Sequence, residues 1–358
     1  MILSVHHVDA AGVISLVAAN VPYSNLQWTR SLTGIGSFAL QLACPVPVSW
    51  PGRYLLVRDD ADEVGVVEKV TDEEGEPPTM EGRFAECLWE RWAAPSGGAS
   101  ATGANWRQAA TRALSSWHMG DLPPLALGAG TQAPSGGSYR ISCDEGKGGM
   151  SAVVAALADQ GARVVVGYDR DADPTRLSVR ILTGLDRTRS QSSNPVQVFS
   201  LEMGSADSVS YVGDYSTGCS QVMAHAEAGT GADAITVDRT VAVQGFDAST
   251  QWAARCLEDV SQLAGDAPTA ASVDAAARLR AYDHMPEVSV DCGVSGLGYR
   301  TDWDVGDLVE VEVPSLGLVA QERVQEAREV HKAGGVTVEA TLGTKRLARV
   351  ARAMLGRR

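Results

Sequence analysis

The sequence predicts a β-rich α+β protein with two small antiparallel β-barrel domains, one toward each end, and α+β and helical segments inserted between them. Three observations carry that expectation. From Trp28 to Phe84 short apolar runs follow a period of two, and at Gly82 the period lengthens to helical spacing. From Leu308 to Leu342 the strand pattern returns. Between these ends lie helical apolar stripes separated by Gly- and Ser-rich joints.

In order, Ile2–Val5 and Val13–Ala18 read as strands joined by the turn Asp9-Ala-Ala-Gly12. Phe38, Leu40 and Leu42 alternate with Ser37, Ala39 and Gln41, and Arg53–Arg58 and Val64–Val70 are β-branched or aromatic runs bounded by turn residues. Phe84, Cys87, Leu88, Arg91 and Trp92 then form one face of a short amphipathic helix, expected to cap an open end of the sheet. This first barrel domain spans 1–95, and Ala94–Gly103 reads as a linker.

An inserted α+β domain, 96–190, follows. Trp106, Ala110, Ala113, Leu114 and Trp117 stripe one helix, and Met150, Val153, Val154, Leu157 and Ala158 a second. Arg163–Tyr168 and Leu177–Leu182 make a hairpin. Residues 191–245 hold strands that complete the barrels: Val196–Met203, Ser208–Val212, Gln221–Ala226 and Thr240–Val243. A helical segment, 246–284, contains Trp252–Leu263 and Ala270–Tyr282. The second barrel domain, 285–343, is built from Pro286–Asp291, Leu308–Val313, Ala320–Val330 and Val336–Leu342. Ala320–Val330 suits a helix by composition, but the turn Lys332-Ala-Gly-Gly335 pairs it with the next run as a strand.

The formal net charge of −14 disfavours a broad grip on nucleic-acid backbones; it suits a surface that DNA slides past, and serves solubility equally. Lys345, Arg346, Arg349, Arg352, Arg357 and Arg358 crowd 344–358, where Leu347, Val350, Ala351, Met354 and Leu355 form the opposite face of an expected basic helix. That helix is expected to dock on its own domain, or else on a neighbouring subunit or an acidic partner, with membrane or nucleic-acid binding as the remaining alternative. No apolar run reaches the roughly 18 residues of a membrane span, and the N-terminus lacks a basic, signal-like start. Neither membrane insertion nor secretion is expected.

Motifs of chemistry are sparse. The six cysteines stand singly, without Cys-x-x-Cys, so reduced buried thiols are expected rather than zinc or disulfides. The six histidines are scattered, with no His-Glu-x-x-His. Asp169, Asp171 and Asp173 begin like a calcium loop, but Pro174 and Arg180 occupy the positions of its glycine and bidentate glutamate. Gly146-Lys147 lacks the rest of a phosphate loop. Acidic pairs such as Asp59-Asp60 and Asp62-Glu63 sit on polar turns. No catalytic residue, metal or cofactor is expected.

Taken together, Trp28…Gly36-Ser-Phe38-x-Leu40, Gly65-Val-Val-Glu68, Glu81-Gly82-Arg83-Phe84, the Phe199…Tyr211 strand pair and Asp302-Trp303-Asp-Val-Gly306-Asp307-Leu-Val309…Gly343 resemble the minor tail or baseplate-hub proteins of siphovirus-type phages. The resemblance implies a structural homotrimer at the distal end of the tail tube, in the virion, assembled in the host cytoplasm. Two β-barrel domains per subunit would form a pseudo-sixfold ring around the DNA exit channel. Its partners would be the distal tail ring, other tail or baseplate proteins, and tail fibre or receptor-binding proteins, with DNA only in passing. Gly36 and Gly306 would serve turns that need small or left-handed residues, Glu68 and Arg83 would pair across the barrel, and Asp307 would bond a tight turn. Cys219-Ser-Gln221 departs from the family's usual asparagine, and with Arg358 as last residue no C-terminal lytic extension is carried over. A particle-associated cell-wall hydrolase or carbohydrate-binding module, its carboxylates among the acidic turns, is the alternative class.

Overall fold

A computed structural model describes the chain to Gly343 except for 45–51, 120–124, 128–138, 159, 169–172, 174, 215, 217, 230–233, 244–245, 247, 250, 265–266, 282–283 and 285–286. The expected basic helix, 344–358, and Asp169 and Asp171 lie outside the described residues. Two compact units divide the chain: 1–210 with 291–358, and the continuous excursion 211–290.

In the first unit, alternation places every second residue on a core face, and the strands follow. They are β1 (Leu3–Val8), β2 (Ile14–Ala18), β3 (Tyr23–Ser31), β4 (Ser37–Leu42), β5 (Tyr54–Arg58), β6 (Val64–Thr71) and β7 (Thr79–Phe84). On β3 the buried residues are Leu26, Trp28 and Arg30, and on β4 Phe38, Leu40 and Leu42, as a period of two requires.

β5 and the start of β6 are buried on both faces. One face, with Leu56 and Val67, joins the Trp28 core. The other, with Leu55, Val64 and Val66, shares a core with the insert. The insert comprises β8 (Ala99–Gly103), α1 (Trp106–Ser116), β9 (Leu125–Leu127), β10 (Tyr139–Cys143), α2 (Gly149–Ala158), β11 (Ala162–Gly167) and β12 (Leu177–Thr183). Two expectations change here. The Gly/Ser-rich stretch after Ala94 is not a free linker: Ala99–Gly103 is a strand paired with β10, because its small residues admit α1 so closely that a Cβ on Gly103 would lie 2.5 Å from Ala109 N. The segment Ala85–Arg91 is a 3-10 helix buried along Ala85–Trp89 rather than an amphipathic cap, because the insert covers it; Trp89 Nε1 donates to Leu114 O at 2.9 Å.

After β12, only Val198–Phe199 (β13) of the expected strand Val196–Met203 is extended. Ser205 Oγ accepts from Ser200 N at 2.9 Å and donates to Val198 O at 2.6 Å, which turns the chain. In the course of β14 (Ala206–Asp214) the chain leaves the first unit.

The second unit holds a three-stranded sheet of β15 (Gln221–Ala228), β16 (Ile235–Ala242) and β17 (Arg255–Asp259), with α3 (Ser261–Ala264) and α4 (Ala270–Ala281). The expected helix Trp252–Leu263 is thereby corrected. Its middle is a strand parallel to β15, in register Val222↔Cys256, because Cys256 and Glu258 alternate with exposed neighbours; only Ser261–Ala264 is helical.

β18 (Glu287–Val294) returns the chain to the first unit, which ends in β19 (Leu308–Val313), β20 (Leu318–Lys332) and β21 (Gly335–Gly343). Ala320–Val330 is extended, and Lys332 pairs with Gly335 across the turn. β20 also pairs antiparallel with β3, from Glu326↔Ser31 to Lys332↔Asn25. The strand-rich ends of the chain therefore belong to one hydrogen-bonded sheet, in the order β21-β20-β3-β4-β7-β6-β5-β1-β2.

Candidate functional site

The β3–β20 pairing brings together the most unusual chemistry of the first unit, a string of buried ions. Arg30 occupies an inward slot of β3 beside Trp28, and Glu329 and His331 occupy inward slots of β20. Arg30 bonds Glu329 Oε1, whose other oxygen takes Arg58 at 3.0 Å and His331 Nε2 at 3.0 Å. Arg30 Nε lies 2.8 Å from Glu63 Oε2, an ion pair sealed from water. Arg163, from the insert, donates to Glu63 Oε1 at 2.8 Å and approaches Asp304 at 3.4 Å. The string ends in water, with Arg58 on Asp60 at 3.0 Å.

Acid and base alternate along this string, and that decides the protonation states. Burial alone would raise the Glu63 pKa, but the Arg30 and Arg163 guanidiniums hold it at about 2. Burial likewise opposes ionised Glu329, yet the His331 hydrogen bond and the charges of Arg30 and Arg58 keep its pKa far below the usual carboxylate range. The Tyr299 phenol, 3.4 Å from Arg30, is pushed up by burial. Such a cluster stabilises little in net terms. Removing one member leaves a buried charge and costs about 3–5 kcal/mol.

Next to the string is the motif Asp302–Val309. Trp303 is fully buried, edge-on to Phe199 at 5.4 Å and tilted against Tyr299 at 4.6 Å. Gly306 has φ +98°, and a Cβ there would meet Gly161 O at 2.8 Å. Asp307 accepts from Asp304 N at 3.0 Å within its turn, and from Leu185 N and Arg187 Nε, both at 2.6 Å, in the segment after the insert. The motif is thus where several distant segments dock.

The other residues singled out in the sequence lie elsewhere. Trp28 stacks on Phe38 at 5.8 Å and meets Phe84 at 4.7 Å. Gly36 and Gly82 are close approaches: a Cβ would fall 2.4 Å from the Phe84 ring and 1.9 Å from Val66 O, respectively. Glu68 and Arg83 form an exposed two-point pair between β6 and β7, at 2.7 and 2.8 Å. Gly343 closes β21 with φ +108°. The ion string leaves one trace in the sequence, a charged residue at an inward phase of an apolar alternation, at Arg30 and Glu329.

The profile of the Siphovirus ReqiPepy6 Gp37-like protein family matches residues 150–344, more than half of the chain. The chain belongs to that family. Solved structures share its fold almost end to end. The 43 kDa tail protein of prophage MuSo2 from Shewanella oneidensis superposes with a TM-score of 0.58 at 15% identity, over 96% of this chain and 98% of that one. The tail protein from Neisseria meningitidis MC58 gives 0.56 at 16%, over 96% of each chain. Prophage tail protein gp18 from Listeria monocytogenes EGD-e gives 0.55 at 10%, over 99% and 98%. No curated protein sequence matches. The siphovirus-type tail resemblance read from the sequence therefore stands.

For this family member, hydrolysis has a physical test, because a glycosidase needs an accessible carboxylic acid of raised pKa. Burial lifts Glu86 to about 8, and Val166 N donates to its Oε1 at 2.9 Å. Yet Glu86 faces a cavity of about 10 Å³ between Arg30, Gly36, Phe84 and Arg163, room for one water and no sugar. Among the described residues no helix is long and apolar enough to cross a membrane.

The second unit corrects one sequence reading. Cysteines taken as isolated are not: Cys219, Cys256 and His284 bring their ligating atoms within 4.8 Å of one another. The sequence hides this because the three lie on separate segments, one ahead of β15, one on β17 and one after α4, joined by the β15–β17 pairing and a Cys219 N to His284 O hydrogen bond of 3.1 Å.

Proposed function

We propose that this chain is the structural hub of a siphovirus-type tail, a homotrimer at the distal end of the tail tube. Its two strand-rich ends act as the two barrel domains of each subunit, giving a pseudo-sixfold ring that lines the DNA exit channel. The ring meets the distal tail ring on one side and fibre or receptor-binding proteins on the other, and it carries out no catalysis. The observation that carries this reading is a fold matched over nearly its whole length by three tail proteins. Two features support it. The ends share one sheet tied by buried ions, as a wall that must keep its shape requires. Of the two carboxylic acids that burial raises, Glu86 and Glu322, the one raised further, Glu86, faces a cavity too small for a sugar.

The test is the mass of the purified protein in solution, followed by symmetry averaging of particle images. The expected result is three times the 37.6 kDa of one chain and a threefold ring with a central hole. A monomer that turns over peptidoglycan would sink the hub reading in favour of the hydrolase.

A further inference from the structure

The second unit is small, 211–290, and its core is made of small side chains: Val222, Ala224, Ala226, Val241, Val273 and Ala277 are typical. Among the described residues no aromatic ring appears in that core, and Trp252 is 96% exposed. A domain of this size with so little apolar volume sits near the lower limit of independent stability, where a metal or a covalent staple is the common remedy.

The unit contains the parts of one. Cys219 is buried just ahead of β15, Cys256 lies on the neighbouring β17, and His284 follows α4; one ligating atom from each falls within 4.8 Å of the others. Three anchors set the arrangement. The parallel register Val222↔Cys256 aligns the two strands, Ser220 N donates to Ala254 O at 2.8 Å, and Cys219 N donates to His284 O at 3.1 Å. Glu258, two residues beyond Cys256 on the same strand, places Oε1 2.7 Å from His284 Nε2.

We propose that Cys219, Cys256 and His284 bind one zinc ion, with a water completing the tetrahedron, that fastens the end of α4 to the β15–β17 sheet. Two thiolates and an imidazole are the donor set zinc prefers, and hard, oxygen-seeking cations do not. A disulfide between the two cysteines would leave unexplained why a histidine converges on the same point with a carboxylate behind it. In metal sites that carboxylate is the usual partner of a ligating imidazole, fixing its tautomer and orientation. Both thiols lose their protons on binding, and these pass to solvent.

The test uses the full chain, reduced and stripped of metal with a chelator, then titrated with Co²⁺ as a spectroscopic stand-in for zinc. The expected result is saturation at one equivalent, with thiolate-to-cobalt charge-transfer bands and tetrahedral visible bands that zinc abolishes. Zinc should also raise the unfolding temperature of the stripped protein. Cys219→Ser, Cys256→Ser and His284→Ala should each lose the bands, while Cys143→Ser and Cys292→Ser keep them. Glu258→Gln should weaken binding about 10- to 100-fold. Should a variant fail to fold by circular dichroism, the wild-type titration decides by itself. The proposal is overturned if the reduced wild-type chain takes up no cobalt, if uptake lacks thiolate bands, or if Cys143→Ser abolishes it. A Cys219–Cys256 disulfide in the isolated protein, with no metal uptake after reduction, overturns it as well.

Discussion

Glu63 and Glu86 lie in one unit, are both buried, and titrate in opposite directions. Two guanidiniums flank Glu63, so its pKa falls from 4.5 to about 2. Its contribution to stability is present above the ordinary carboxylate pKa and is lost as pH drops from about 4.5 toward about 2. Burial dominates at Glu86, where the pKa rises from 4.5 to about 8. That contribution is fully present below pH 4.5 and is lost as pH climbs toward about 8. Replacing Glu86 by Gln keeps an acceptor for Val166 N and removes the titration. The difference in melting temperature between Glu86→Gln and wild type is therefore expected to move in the mutant's favour from pH 4.5 to about 8 and then level off, which thermal melts across that range would check. A flat difference would mean that Glu86 reaches water. Glu63→Gln is expected to cost about 3–5 kcal/mol in denaturant melts at pH 7, because Arg30 and Arg163 each lose one of two counter-charges and the buried string keeps an excess of positive charge.

Among the elements, the turn before β19 is the most exacting. Gly306→Val puts a β-branched residue at φ +98° and drives its Cβ against the Gly161 carbonyl. Trp303→Ala empties a fully buried site at a cost of about 3–5 kcal/mol. Both variants are expected to lower soluble yield or melting temperature markedly. A normal yield and melting curve from either would remove the structural role of this turn. β20 illustrates how an ambiguous segment is resolved. Ala327, Glu329 and His331 face inward, and the chain is extended because β3, β19 and β21 all bond to it. The reverse occurred at Trp252–Leu263, where apolar residues at helical spacing lie in a stretch that β15 recruits as a strand. Neighbouring backbone donors and acceptors, absent from any local window, settled both cases.

For the whole molecule, family membership and a fold shared end to end with tail proteins bound the function. The hub reading makes oligomeric state its decisive property, and a threefold ring is the expected image. Strand periodicity at both ends, the helices α1, α2 and α4, the hairpin of β11 and β12, and the tail-protein motifs were all legible from residue order, because each depends on neighbours a few positions apart. The buried ion string was not. Asp62-Glu63 reads as a solvated acidic turn, and Glu63 is buried only because the insert delivers Arg163 and β3 delivers Arg30. Nor was the Cys219, Cys256 and His284 cluster, whose members are separated by long stretches of chain. The sequence by itself determined the family, the strands at both ends and the helices α1, α2 and α4. Tertiary structure alone decided which charges are sealed from water, which thiols meet, and that the two ends share a sheet, since burial and pairing between distant segments are set by closure of the fold and leave no local pattern.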